Sequence, residues 1–185
     1  MNDAIRCANR KPDTQGERTW NRLRKVRINR DVQVPTDRFT EYFKEFDNVE
    51  AVRSIFGEET EKVLDGLRVD FVSGIDYMRV NDSDGDIMIN PHYLKHGDLR
   101  DIYLDLIHEL VHVKQFREGK KLVDRRFDYT DRVTEIEAYR HTVEEARKLG
   151  MTDEEIFQYL KTECMSKEEH RRLAEILNVR VSKHS

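Results

Sequence analysis

The stretch Asp101-Ile-Tyr-Leu-Asp105-Leu-Ile-His108-Glu109-Leu-Val-His112-Val-Lys-Gln115-Phe116 decides how this 185-residue chain is read. His108 and His112 are four residues apart, so a helix carries both imidazoles on one face at neighbouring heights. That spacing suits two of the three protein ligands of a catalytic zinc. Glu109 lies about 100° around the helix from His108, beside the ligand face but not on it. It is placed to act on a water at the metal without coordinating the metal itself. Ile102, Leu104, Leu106, Ile107, Leu110, Val111, Val113 and Phe116 surround the motif on nearly every side. Such a helix is buried, and burying two histidines and a glutamate without partners is costly. A metal ion and water supply the partners.

A third ligand is required. In one scheme a histidine stands six residues past the second, after a glycine that turns the helix. Here those positions hold Glu118 and Gln115, so Glu118 is expected to point elsewhere. No histidine occurs between His112 and His141. The segment Thr134-Glu135-Ile136-Glu137-Ala138-Tyr139 offers two glutamates, and the residues alone leave Glu135 and Glu137 both open.

With HELVH followed by Glu135-Ile-Glu-Ala138, the chain resembles the gluzincin clan of zinc metallopeptidases over roughly residues 86–149. It is also similar to the small ImmA/IrrE-type peptidases. The resemblance implies a zincin-like fold and Glu135 as the third ligand, 23 residues after His112. Ala138, one turn on, would let the two helices approach closely. The clan often places Asp or Asn four residues after that ligand to brace a histidine; Tyr139 stands there, which makes Asp105 the substitute brace. Strand 86–90 would correspond to the clan's substrate-binding edge strand.

The expected function is therefore a zinc-dependent hydrolase with one zinc ion, a small metallo-endopeptidase acting on a peptide or protein substrate. Glu109 would serve as general base toward a zinc-activated water. An extended peptide would pair beside strand 86–90. Tyr129, Tyr139 and His141 are oxyanion-donor candidates by location alone. The alternative is a non-catalytic or regulatory zinc-binding protein whose basic arm contacts DNA or a protein partner. That arm follows from charge: residues 1–30 are net +6, whereas the whole chain is −4, leaving −10 for residues 31–185. A nucleic-acid contact is not favoured over a solvated arm.

Around the motif the periodicity predicts an α+β chain: helices, a small mixed sheet with a hairpin, then helices. Apolar residues from Phe39 to Phe56 recur at helical steps after a helix start at Thr36-Asp37, and a second helix follows over 58–67. Strands are expected at 68–73, 77–81 and 86–90, with Asp82-Ser-Asp-Gly85 as the hairpin turn. Helices follow at 99–116 and 134–149, separated by a polar loop. Thr152-x-x-Glu155 and Ser166-x-x-Glu169 are capping boxes that announce two more. His92 and His96, just before the metal helix, read as loop or surface histidines. Residues 1–35 are read as a partly ordered basic arm, 36–180 as a single domain, and 181–185 as a tail.

No run of eighteen apolar residues occurs, so no membrane partner is expected. The start MNDAIRCANRK has no apolar signal core and reads as cytoplasmic. Cys7 and Cys164 do not suggest a disulfide scaffold, and Cys7 is taken as an ordinary tail thiol.

Overall fold

A computed structural model of the chain describes residues 23–123, 126, 128–162 and 165–180. Trp20, Cys7, Cys164, residues 1–22 of the basic arm and the 181–185 tail lie outside the described residues. The architecture is α+β. Its strands are β1 (Arg27–Ile28), β2 (Thr36–Arg38), β3 (Phe43–Lys44), β4 (Arg68–Phe71), β5 (Met78–Val80) and β6 (Ile87–Ile89). Its helices are α1 (Phe39–Tyr42), α2 (Glu50–Phe56), α3 (Thr60–Gly66), α4 (Pro91–His96), α5 (Leu99–Arg117), α6 (Val133–Lys148), α7 (Asp153–Tyr159) and α8 (Lys167–Ile176).

The main sheet runs β2-β4-β6-β5, and β1 pairs separately with β3. Strand β6 lies parallel to β4 on one side and antiparallel to β5 on the other. The expectation that strand 86–90 offers a free edge is therefore corrected: β6 is an inner strand, and the outer strands are β2 and, beside β6, β5. Burial explains the order. Ile87 and Ile89 are both fully buried, so the most apolar strand takes a two-sided place. Arg79 of β5 is exposed, as suits an edge. In the turn between them Gly85 adopts φ +82°, and a Cβ there would meet the Phe116 ring at 2.3 Å. The hairpin thus packs directly on α5.

The continuous helix expected over 39–56 is broken into α1, β3, a 3-10 turn at Phe46–Asn48, and α2. Glu45 adopts a left-handed backbone at φ 68°, which ends the helical path. Its carboxylate pairs with Arg27 at 3.2 Å and accepts from Asn48 at 3.1 Å. Phe39, Phe43, Phe46, Val52 and Ile55 all still reach the core. Helical spacing of apolar residues is satisfied equally by short elements turning about one core. Thr36-Asp37, expected as a helix start, is instead β2, whose Thr36 hydroxyl donates to Asp70 at 2.7 Å.

Leu23 and Val26, in the segment read as an arm, are buried, and Arg30 donates to the Leu94 and Gly97 carbonyls at the end of α4. Pro91 follows Asn90, whose side chain caps α4. His92 and His96 therefore sit on a short helix rather than in a loop. Both capping boxes at the starts of α7 and α8 are formed.

The centre of the molecule is α5. Ile102, Leu104, Leu106, Ile107, Leu110 and Val111 are essentially inaccessible, each contributing roughly 1.5–3 kcal/mol of burial. Helix α6 packs along it through Ala138 and Ala146, both fully buried. Small side chains at that contact let the backbones approach and bring the first turn of α6 level with the histidines. Among the described residues, no helix is long and apolar enough to cross a membrane.

Candidate metal centre

His108, Glu109 and His112 project from the middle of α5, where all three are buried. The two Nε2 atoms face each other at 3.0 Å. Glu135, in the first turn of α6, brings Oε2 to 3.4 Å from His108 Nε2 and 3.5 Å from His112 Nε2. Among the described residues this is the one group of three or more His, Cys, Asp or Glu side chains whose ligand atoms converge tightly enough to hold a metal ion. Zinc at ordinary ligand distances in a tetrahedral site separates its donors by about 3.3 Å. The three observed separations bracket that value. Glu135 Oε2 and Glu109 Oε2 are buried without a hydrogen-bond partner, an arrangement that a cation and water would relieve. The residues present therefore fit a zinc ion.

Electrostatics agree with the geometry. Burial favours a protonated Glu135, but the two histidines outweigh it and hold the carboxyl well below the usual range. Burial lowers the proton affinity of His108. Burial acts on His112 in the same direction, yet Glu135, Glu109 and Gln115 raise it to about 9. The lowered Glu135 and the raised His112 both show a place that favours positive charge, as a metal cation would supply. Glu109 is pushed up to about 8, first by burial and further by Glu135 and Asp105, against the opposing pull of His112 and a Val80 N–H.

Gln115 completes the site and was missed in the sequence, where it counted only as the position of an absent glycine. It is fully buried, and its Oε1 lies 2.8 Å from His112 Nδ1. Its Nε2 donates to Thr134 O and to Glu137 Oε2, each at 3.0 Å. Two acceptors on the amide nitrogen orient the carbonyl toward His112, which then donates from Nδ1 and leaves Nε2 free for a metal. Glu137 is held by Gln115 and by Lys120 at 3.1 Å, so it supports His112 through Gln115 and does not join the cluster. A polar, uncharged residue three positions past His112, one turn along the same helix, is the signal available in the sequence.

The other candidates separate cleanly. Asp105, expected to brace a histidine, instead accepts from the hydroxyls of Tyr93 and Tyr159, and His108 Nδ1 has no hydrogen-bond partner. Its side chain is drawn toward α4 and α7, away from the His108 ring. Tyr139 supports His108 by packing, with ring centroids 4.4 Å apart at 61°. The Tyr139 hydroxyl lies 3.1 Å from that of Tyr129. Tyr129 also contacts Glu135 and lines the cavity, whereas His141 is not among the lining residues. Glu118 points to Lys120 and Lys114 at the end of α5. His92 and His96 pack against each other, centroids 4.6 Å apart, away from the cavity.

The cavity over the cluster encloses about 400 Å³. His108, Glu109, His112 and Glu135 form its polar floor, β5 one wall, and Leu122, Val123 and Tyr129 another. Among protein-family models, curated proteins and solved structures, none matches this chain.

Proposed function

We propose that this chain is a zinc-dependent hydrolase of zincin-like architecture, a small metallo-endopeptidase. The observation that carries the reading is the convergence of His108, His112 and Glu135 at the floor of an open cavity, with Glu109 beside them. His108, His112 and Glu135 would hold the ion. Bound zinc supplies Lewis acidity and lowers the pKa of a coordinated water toward neutrality. Glu109 takes the proton of the attacking water and returns it to the leaving amine. Gln115 keeps the His112 ring in the tautomer the site needs. The Tyr129 hydroxyl, on the cavity wall, donates to the substrate carbonyl oxygen as it gains charge.

The open edge of β5 receives the peptide. Asn81 N–H bonds Asp86 O, and Asn90 N–H bonds Tyr77 O, each at 2.8 Å. Residues 77, 79 and 81 therefore turn their backbone groups toward β6. By alternation, Met78 and Val80 turn theirs toward the cavity; the Val80 N–H there bonds to Glu109, and an extended segment can pair with the Met78 groups and the Val80 carbonyl.

The test is hydrolysis of a peptide library by zinc-loaded protein, with and without chelator. Glu109→Gln is expected to keep zinc and lose about 10²–10⁴-fold in rate. Full hydrolysis by Glu109→Gln with zinc retained would refute the general-base role.

A further inference from the structure

The peptide-pairing edge carries a charge whose position gives it a role. β5 alternates Met78, Arg79, Val80, and its register with β6 places Arg79 opposite Met88. Asp70 stands beyond Met88 and Thr36 beyond Asp70, so Arg79 ends a cross-strand row on the sheet face away from the core. Val80, Ile87 and Val69 form the matching row on the core face, and all three are buried. Arg79 is exposed, and it forms no ion pair with any described residue. Among the described residues lining the cavity it is the single Lys or Arg.

We infer that Arg79 makes the substrate an extended segment of apolar–acidic–apolar pattern, with an Asp or Glu directly opposite Arg79. This rests on the hydrolase reading above. A strand added antiparallel to β5 bonds to the Met78 backbone and the Val80 carbonyl, the Val80 N–H being held by Glu109, which leaves its residue facing Arg79 in a pair without ladder hydrogen bonds. In such pairs the side chains approach most closely, with Cα atoms about 4.5 Å apart. That residue projects to the solvent face beside the guanidinium, where a carboxylate is matched and a lysine repelled. Its two neighbours project to the other face, toward Met78, Leu122 and Val123 on the cavity walls. Alternation along the strand thus becomes alternation of preference.

The experiment compares peptides with Glu, Gln or Lys at each position, against the zinc-loaded parent, Arg79→Ala and Arg79→Glu. Two readouts are taken: kcat/KM, and peptide affinity for the zinc-loaded Glu109→Gln protein. Equal zinc content confirms that the variants keep the site. The parent is expected to prefer Glu over Lys at one fixed position by about three- to fivefold, the upper range for an exposed cross-strand charge pair. Arg79→Ala should lose the preference and Arg79→Glu reverse it, in affinity as well as in kcat/KM. A Glu-to-Lys ratio unchanged by Arg79→Glu overturns this inference and leaves the hydrolase reading standing. Absence of cleavage with the charge preference still present in binding overturns the hydrolase reading alone. Absence of both cleavage and charge-selective binding overturns the two together.

Discussion

Replacing Gln115 by leucine tests whether the metal centre depends on a residue that touches neither metal nor substrate. Leucine has nearly the same volume, so packing around the fully buried site is preserved while the amide is lost. Three contacts disappear: the 2.8 Å bond to His112 Nδ1 and the two 3.0 Å bonds to Thr134 O and Glu137 Oε2. Glu137 keeps Lys120, and the Thr134 carbonyl has its helical partner, so the uncompensated group is the His112 N–H. Leaving it unpaired costs about 1–3 kcal/mol in stability. Freeing the ring to rotate and to change tautomer weakens zinc binding by about 10- to 100-fold, or about 1.4–2.7 kcal/mol. Competition against a chromophoric chelator measures the affinity, and circular dichroism verifies the fold. Glu137→Gln is the control, because its carbonyl still accepts from Gln115 and Lys120, and its affinity stays near that of the parent. If folded Gln115→Leu binds zinc within about twofold of the parent, the orienting role is refuted, since loss of such a group is worth at least about tenfold.

Glu135→Ala and His108→Ala are each expected to abolish stoichiometric zinc in the purified protein, whereas Glu137→Ala weakens binding and retains it; metal analysis of the three decides between them. A separate prediction concerns Asp105, which accepts from Tyr93 of α4 and Tyr159 of α7 and lies near Asp101 and Glu109 on its own helix. Burial raises its pKa to about 6, against the opposing effect of the two tyrosine hydroxyls. A folded-state carboxyl pKa above the unfolded value means that its stability is fully present below about pH 4. It is lost as pH rises through about 6, a penalty on the order of 3 kcal/mol. Urea titrations at pH 4, 5, 6 and 7 should show this decline in the parent and a smaller one in Asp105→Asn; identical pH profiles would show that Asp105 does not titrate in this range.

The helical spacing of His108 and His112, their apolar surroundings and the following glutamate segment were all legible in the sequence, because i,i+4 geometry and burial are local properties. The capping boxes and the Asp82–Gly85 turn were legible for the same reason. Which glutamate meets the histidines was not. Residues 135 and 137 project about 200° apart on α6, and only the packing of α6 on α5 through Ala138 and Ala146 selects between them. The structure brings Glu135 onto both imidazoles and leaves Glu137 behind Gln115. Sheet order was likewise beyond local reading. Strands 78–80 and 87–89 each announce themselves by composition. That β6 lies parallel to β4 and pushes β5 to the rim follows from which strand can be buried on both sides. The same holds for residues 39–56, whose apolar repeat suits one long helix as well as the broken path the core imposes. Sequence alone determined that two histidines and a glutamate share one buried helix. Tertiary packing decided which partners reach that helix and which strand edge opens beside it, since both depend on contacts between residues far apart in the chain.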